Sequence, residues 1–268
     1  MSAEKIALLG AIAGFTIYLG LPIGRLRSPR PRLKALLNAT AIGILIFLLW
    51  DVLAHAWAPI DEALSHHRAG PSLGYGAVLA AGFGVGLLGL VYFDRWIARR
   101  AGALREAPPE GSGLWHSAAG QLALMIAAGI GLHNFAEGLA IGNSAGNGEL
   151  SLAVLLVIGF GAHNATEGFG IVAPLAAAGQ RPSWAQLGLL GLLGGGPTVV
   201  GTIAGQYMLS NALSIAFLAL AAGSILYVVI ELLGVARAMT LKSVTTWGIF
   251  AGVVLGFGTD AIVTLAGA

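Results

Sequence analysis

Two polar hexapeptides stand out from an otherwise apolar chain: His133-Asn134-Phe135-Ala136-Glu137-Gly138 and His163-Asn164-Ala165-Thr166-Glu167-Gly168. Both have the form His-Asn-x-x-Glu-Gly, and they begin 30 residues apart, at positions 133 and 163. In each, imidazole and carboxylate are four residues apart, which on a helix sets them on one face, one turn above the other. Imidazole nitrogen and carboxylate oxygen form a borderline donor set suited to zinc and its first-row neighbours. If the two segments are adjacent antiparallel helices, His133, Glu137, His163 and Glu167 can converge on one ion. Asn134 and Asn164 project about 100° from those faces, where they offer weaker oxygens or support the ligands from behind. Gly138 and Gly168 leave room for another helix to approach. A His–Glu clasp that merely joins two helices is the plainer alternative, and repetition of the whole hexapeptide weighs against it.

Composition sets the medium in which these groups work. Of 268 residues, 57% are hydrophobic and 10% charged, where a soluble chain carries roughly a quarter charged residues. Mean hydropathy is +0.84. These values define an integral membrane protein. There is no cysteine, which excludes disulfides and thiolate metal sites. Ile6 to Leu21 reads as a retained span, because no small-residue cleavage site marks its end. The pI of about 9.2 comes from basic loops and points to no nucleic-acid partner.

Eight apolar stretches reach the ~20 residues that a crossing requires, at roughly 5–23, 35–58, 73–97, 117–142, 150–177, 185–207, 211–236 and 244–267. The expected fold is an all-α, polytopic bundle forming one domain over residues 1–268, with no soluble domain. Breaks are expected at 25–34, from Pro59 to Pro71, at 101–113 and at 180–182, and Gly194-Gly195-Gly196-Pro197 is expected to loosen the sixth span. The basic residues then sort by side. Arg25, Arg27, Arg30, Arg32, Lys34, Arg95, Arg99, Arg100, Arg105, Arg181, Arg237 and Lys242 fall beside odd-numbered loops, and only Lys5 and Arg68 fall opposite. Basic residues mark the cytoplasmic side, so both termini are expected outside a cytoplasmic (plasma) membrane.

Five acids remain at membrane depth: Asp51, Glu137, Glu167, Glu231 and Asp260. A charged group at the bilayer centre costs on the order of 3 kcal/mol even on the lenient insertion scale. No Lys or Arg lies at their depth in the spans to offset them, so a bound cation or a proton must. Asp51 and His55 repeat the four-residue spacing, either as a relay along a cation pathway or as a helix-pairing contact. Glu231 is either a gating group or a buried hydrogen-bonding one. Asp260 reads as a cap or brace of the last span, and Asp94 as a partner for a basic neighbour such as Arg95. His66 and His67, near Asp61 and Glu62, read as a solvated loop.

At these residues the chain resembles the ZIP (zinc/iron-regulated transporter-like) family. That family places a His-Asn-x-Pro-Glu-Gly type motif in spans four and five, here His133 to Gly138 and His163 to Gly168, and a glutamate in span seven, here Glu231. The resemblance implies eight spans in a 3+2+3 arrangement with inverted repeats, and a homodimer. It further implies elevator-like movement of spans one, four, five and six. Its activity would be uptake of a divalent metal toward the cytoplasm, without a prosthetic group. Zinc is the expected cargo, with iron, manganese, cobalt or cadmium as other candidates. Three departures stand out. Ala136 and Thr166 replace the motif prolines, Gly196-Pro197 stands where the family often has Glu-Pro, and the third loop lacks a histidine-rich stretch. One principal metal position is therefore expected. The alternative is a membrane-embedded metal-dependent hydrolase using a metal-activated water. Neither His-Glu-x-x-His nor Glu-x-x-His spacing is present to support that alternative.

Overall fold

The computed structural model describes residues 2–25, 31–103, 114–148, 150–207 and 210–265. Arg27, Arg30, Arg105 and most of the third loop lie outside them. Nearly all described residues are helical, as hydrocarbon demands, because each backbone N–H and C=O must then be satisfied within its own segment. The helices are α1 (Ala3–Arg25), α2 (Pro31–Ser65), α3 (Ala69–Ala103) and α4 (Ala118–Gly146). They continue with α5 (Leu150–Ala177), α6 (Trp184–Gly205), α7 (Asn211–Ala238) and α8 (Lys242–Leu265). Among the described residues, seven of them are long and apolar enough to cross a membrane. The other, α5, has 28 residues, about 42 Å at 1.5 Å per residue.

The break expected from Pro59 to Pro71 is present but narrows to a turn at 66–68. α2 continues through Pro59 to Ser65, and α3 begins at Ala69. Proline removes one ladder bond from α2, and Pro71 stands in the first turn of α3, where an N–H would be unpaired in any case. α6 also remains helical through Gly194–Pro197. Its glycines admit neighbouring helices instead. A Cβ on Gly195 would collide with the Gly14 carbonyl, and one on Gly194 would press on Ile17. Ser183 starts α6 with a reciprocal cap: its Oγ accepts from Gln186 N at 3.2 Å, and Gln186 Oε1 accepts from Ser183 N at 2.7 Å.

The helices form two groups. α1, α4, α5 and α6 pack together, as do α2, α3, α7 and α8. The seam between the groups is chiefly α4 against α7 and α2 against α5.

The glycine contacts reveal an internal correspondence at residue level. Gly14 meets Gly195 and Thr198, and Gly195 in return meets Gly14 and Ile17. Gly168 packs on Ile17 and Leu21, and Gly138 on Thr198 and Thr202. Gly20 meets the Ala165 carbonyl, and Gly201 meets that of Phe135. Each contact maps onto its mate if α1 corresponds to α6 and α4 to α5 at constant separations along the chain. The outer helices obey the same rule. Gly43 meets Ile249, Gly252 and Val253, while Gly223 meets Phe83, Gly86 and Leu87. α2 thus corresponds to α7 and α3 to α8. Corresponding helices start from opposite faces of the bundle, so the repeat is inverted.

Candidate metal centre

Packing of α4 on α5 brings the two hexapeptides together. Glu137 is the hub. Its Oε1 lies 2.5 Å from His163 Nε2 and 2.8 Å from His133 Nε2. His133 Nε2 is also 3.9 Å from a Glu167 oxygen. One ligand atom from each of His133, Glu137 and His163 lies within 4.8 Å of the other two. The residues are nearly sealed from solvent: His133 is 0% exposed, Glu167 1% and Glu137 4%.

Donor capacity is left over. Both His133 nitrogens, Glu137 Oε2 and both Glu167 carboxylate oxygens are buried without a hydrogen-bond partner. His133 Nε2 is near Glu137 in distance but off the hydrogen-bond direction. An unpartnered buried polar atom costs about 1–3 kcal/mol, and more when charged. Buried nitrogen and oxygen donors left without protein partners suit a cation, and Glu167 stands beside the metal-sized group of His133, Glu137 and His163 and not within it. Among the described residues no Lys or Arg lines the adjoining cavity, so the cluster has no built-in counter-charge.

The two asparagines work elsewhere. Asn134 Nδ2 donates to the Gly194 carbonyl of α6 at 2.9 Å, and Asn164 Nδ2 donates to the Ala13 carbonyl of α1 at 3.1 Å. These bonds are mates under the internal correspondence. Each holds a motif helix to its neighbour and fixes the rotation that turns His and Glu toward the centre. The Oδ1 atoms remain buried and unpaired.

A cavity of about 650 Å³ leads to the cluster. Its far end is lined by Asn143, Ser144, Ser214 and Thr264, near the end of α4, the start of α7 and the end of α8. It therefore reaches the face carrying both ends of the chain. Asp51, His55 and Asp260 stand along its wall, and His133, Glu137 and His163 at its floor. Glu167 does not line it. Because α4 and α5 run in opposite directions, Glu137 and His163 form a tier nearer the cavity, with His133 and Glu167 a turn deeper.

Asp51 and His55 do meet: His55 Nδ1 is 2.9 Å from the Asp51 carbonyl and 3.4 Å from its carboxylate. Asp260, expected to cap or brace α8, instead lies exposed well inside that helix and faces the same cavity. Its part in the cavity wall was not legible from the linear chain. The inverted repeat supplies the missing signal. Extending the register of α2 and α7 pairs Asp51 with Glu231, and extending that of α3 and α8 pairs Asp94 with Asp260. Glu231 is half-buried in α7, away from the cavity's lining. His66 and His67 are exposed in the α2–α3 turn, and among the described residues neither joins a metal-sized cluster.

This is an all-helical, multi-pass membrane protein whose cavity floor holds two imidazoles and the Glu137 carboxylate, a donor set that suits a cation. Residues 105–263 match the family model described as ZIP Zinc transporter, and the chain belongs to that family. No curated protein matches it in sequence. Members of the family are transporters and not enzymes, and membership implies transport of divalent metal ions. Helices α1 to α3 precede the matched stretch, and they join the same design through their packing correspondence with α6 to α8.

Proposed function

We propose that this chain carries a divalent ion, zinc foremost, across a cytoplasmic membrane toward the cytoplasm. The observation that supports this most is the set of unpartnered, buried donors of His133 and Glu137 beside His163 at the cavity floor, with those of Glu167 beneath them. The ion leaves water at the face carrying both termini, passes Asp51, His55 and Asp260, and exchanges its hydration for Glu137 and His163. It then passes to His133 and Glu167 in the deeper tier. Asn134 and Asn164 orient the ligands and bring spare oxygens close to the ion. Glu231, the register mate of Asp51, serves the release side. The basic residues beside the odd-numbered loops support an orientation with both termini outside. The chain works as a single eight-span unit, in a homodimer.

Transport is the reading because binding must be reversible. Mixed nitrogen and oxygen donors in two tiers allow hand-over, whereas a closed tetrahedral structural site does not. Iron, manganese, cobalt or cadmium would be admitted according to geometry and availability. The test is zinc uptake into liposomes holding purified protein, with Glu167→Ala alongside and other divalent ions as competitors. Saturable influx in the parent and its loss in a well-folded variant is expected. Influx unchanged in the variant would remove Glu167 from the pathway, and no influx in the parent would reject zinc transport.

A further inference from the structure

A second cavity, of about 340 Å³, lies in the turn between α7 and α8, at the face opposite the chain ends. Arg237 closes α7, Lys242 opens α8, and Thr240, Thr245 and Thr246 bring hydroxyls to the wall. Leu233, Ala236 and Leu241 form its apolar side. Among the described residues, neither Arg237 nor Lys242 has an ion-pair partner, and both are exposed. Thr245 also stands in the wall, and its Oγ1 is buried without a hydrogen-bond partner. This cavity is therefore cationic at its rim, with threonines in its wall and an apolar flank. It shares no residue with the metal pathway.

The chemistry fits a phosphate ester. Arginine and lysine supply charge and N–H donors, the Thr240 hydroxyl is at hand in the wall, and the start of α8 adds backbone N–H groups. The surroundings favour a lipid over a free anion. Trp247 is 69% exposed one turn along α8, and Phe250 is 59% exposed beside it. Their rings meet edge to face at 5.8 Å. Exposed aromatics of this kind mark the headgroup level of a bilayer. Val254 and Phe257 continue the same exposed stripe toward the bilayer interior, where acyl chains run. Basic pockets between membrane helices are suited to anionic headgroups. We propose that the α7–α8 turn is a binding site for one anionic phospholipid, with its phosphate between Arg237 and Lys242 and its chains along α8.

The experiment is native mass spectrometry of the full-length protein released from detergent, titrated separately with phosphatidylglycerol, phosphatidylcholine and inorganic phosphate. One phosphatidylglycerol should be retained in preference to phosphatidylcholine. R237Q and K242Q should each weaken it about fivefold, and the double variant about 30-fold, given the usual effect of a basic residue near an anionic surface. Phosphatidylcholine adducts should not change, and inorganic phosphate should not displace the lipid. The single variants keep the question answerable if the double variant folds poorly. Equal retention of both lipids by the parent, or unchanged phosphatidylglycerol binding in folded variants, would overturn the proposal. Capture of inorganic phosphate at the expense of the lipid would overturn it too, making the cavity a site for a free anion.

Discussion

Glu137 has a different standing from the other ligands, because a single one of its oxygens touches both imidazoles. Glu137→Ala should therefore abolish flux and also reduce equilibrium metal binding, measured by titration calorimetry on detergent-solubilised protein. Preserved binding in a folded Glu137→Ala variant would dislodge it from the hub. His66→Ala combined with His67→Ala should leave most of the flux, since those imidazoles stand in a solvated turn. Acidity gives a second prediction with a definite sign. Metal needs neutral imidazole and ionised carboxylate, so each proton taken up competes with the ion. Zinc affinity should fall steadily as the pH is lowered from about 7.5 to about 5.5. An affinity flat across that window would argue that imidazoles are not ligands. At this scale most of the centre was legible in the chain, because repetition and four-residue spacing are linear signals. The asparagines were not, since their bonds to Gly194 and Ala13 depend on which helices lie beside α4 and α5.

Helices here are positioned by close backbone approach more than by side-chain pockets. A Cβ on Gly138 would strike the Thr198 carbonyl, and one on Gly168 would strike that of Ile17. Gly138→Ala and Gly168→Ala should each destabilise the fold by about 1–3 kcal/mol, the usual cost of overpacking. Both should lower the melting temperature in detergent, in the same direction, because the two contacts are mates. Gly234→Ala is the control, since nothing lies within 4 Å of its added methyl. If Gly138→Ala melts with the parent, the close α4–α6 approach is not what holds that helix. The ends of elements were the least legible feature at this scale. Proline suggested breaks at Pro59 and Pro197, yet both helices continue. In a membrane one lost ladder bond costs less than opening a whole turn of backbone to hydrocarbon. The inverted repeat also escaped direct reading. Apart from the hexapeptides, what repeats is the spacing of small residues and acids, and its partners appear only once helices are paired.

At the scale of the whole molecule, the packing divides into two groups whose seam passes beside the metal cluster. One polar tie across that seam runs from Lys34 Nζ of α2, which donates to the Ala176 carbonyl near the end of α5 at 3.0 Å, on the face away from the cavity. The cavity is open on one face, and an inverted repeat allows the arrangement related to it by a pseudo-two-fold rotation, with similar contacts, open on the other. Transport by alternating exposure would move α1, α4, α5 and α6 against α2, α3, α7 and α8. A cross-link over the seam tests this. A Cβ built on Gly170 of α5 lies 3.8 Å from Ala41 Cβ of α2, inside the ~3.5–4.5 Å range that a disulfide requires. The chain has no cysteine of its own, so an Ala41→Cys, Gly170→Cys pair introduces the only thiols. Oxidation of this pair in liposomes should reduce zinc uptake to the level of empty vesicles, and reduction should restore it, while metal binding at the cavity floor persists in both states. Uptake that survives complete cross-linking would mean the ion crosses without relative motion of the two groups, by a channel through α4 and α5. Loss of uptake in the reduced form as well would point to damage from the substitutions, which the melting temperature of the reduced protein would report. Binding retained with flux lost on oxidation alone is the outcome that ties the two-group architecture to transport.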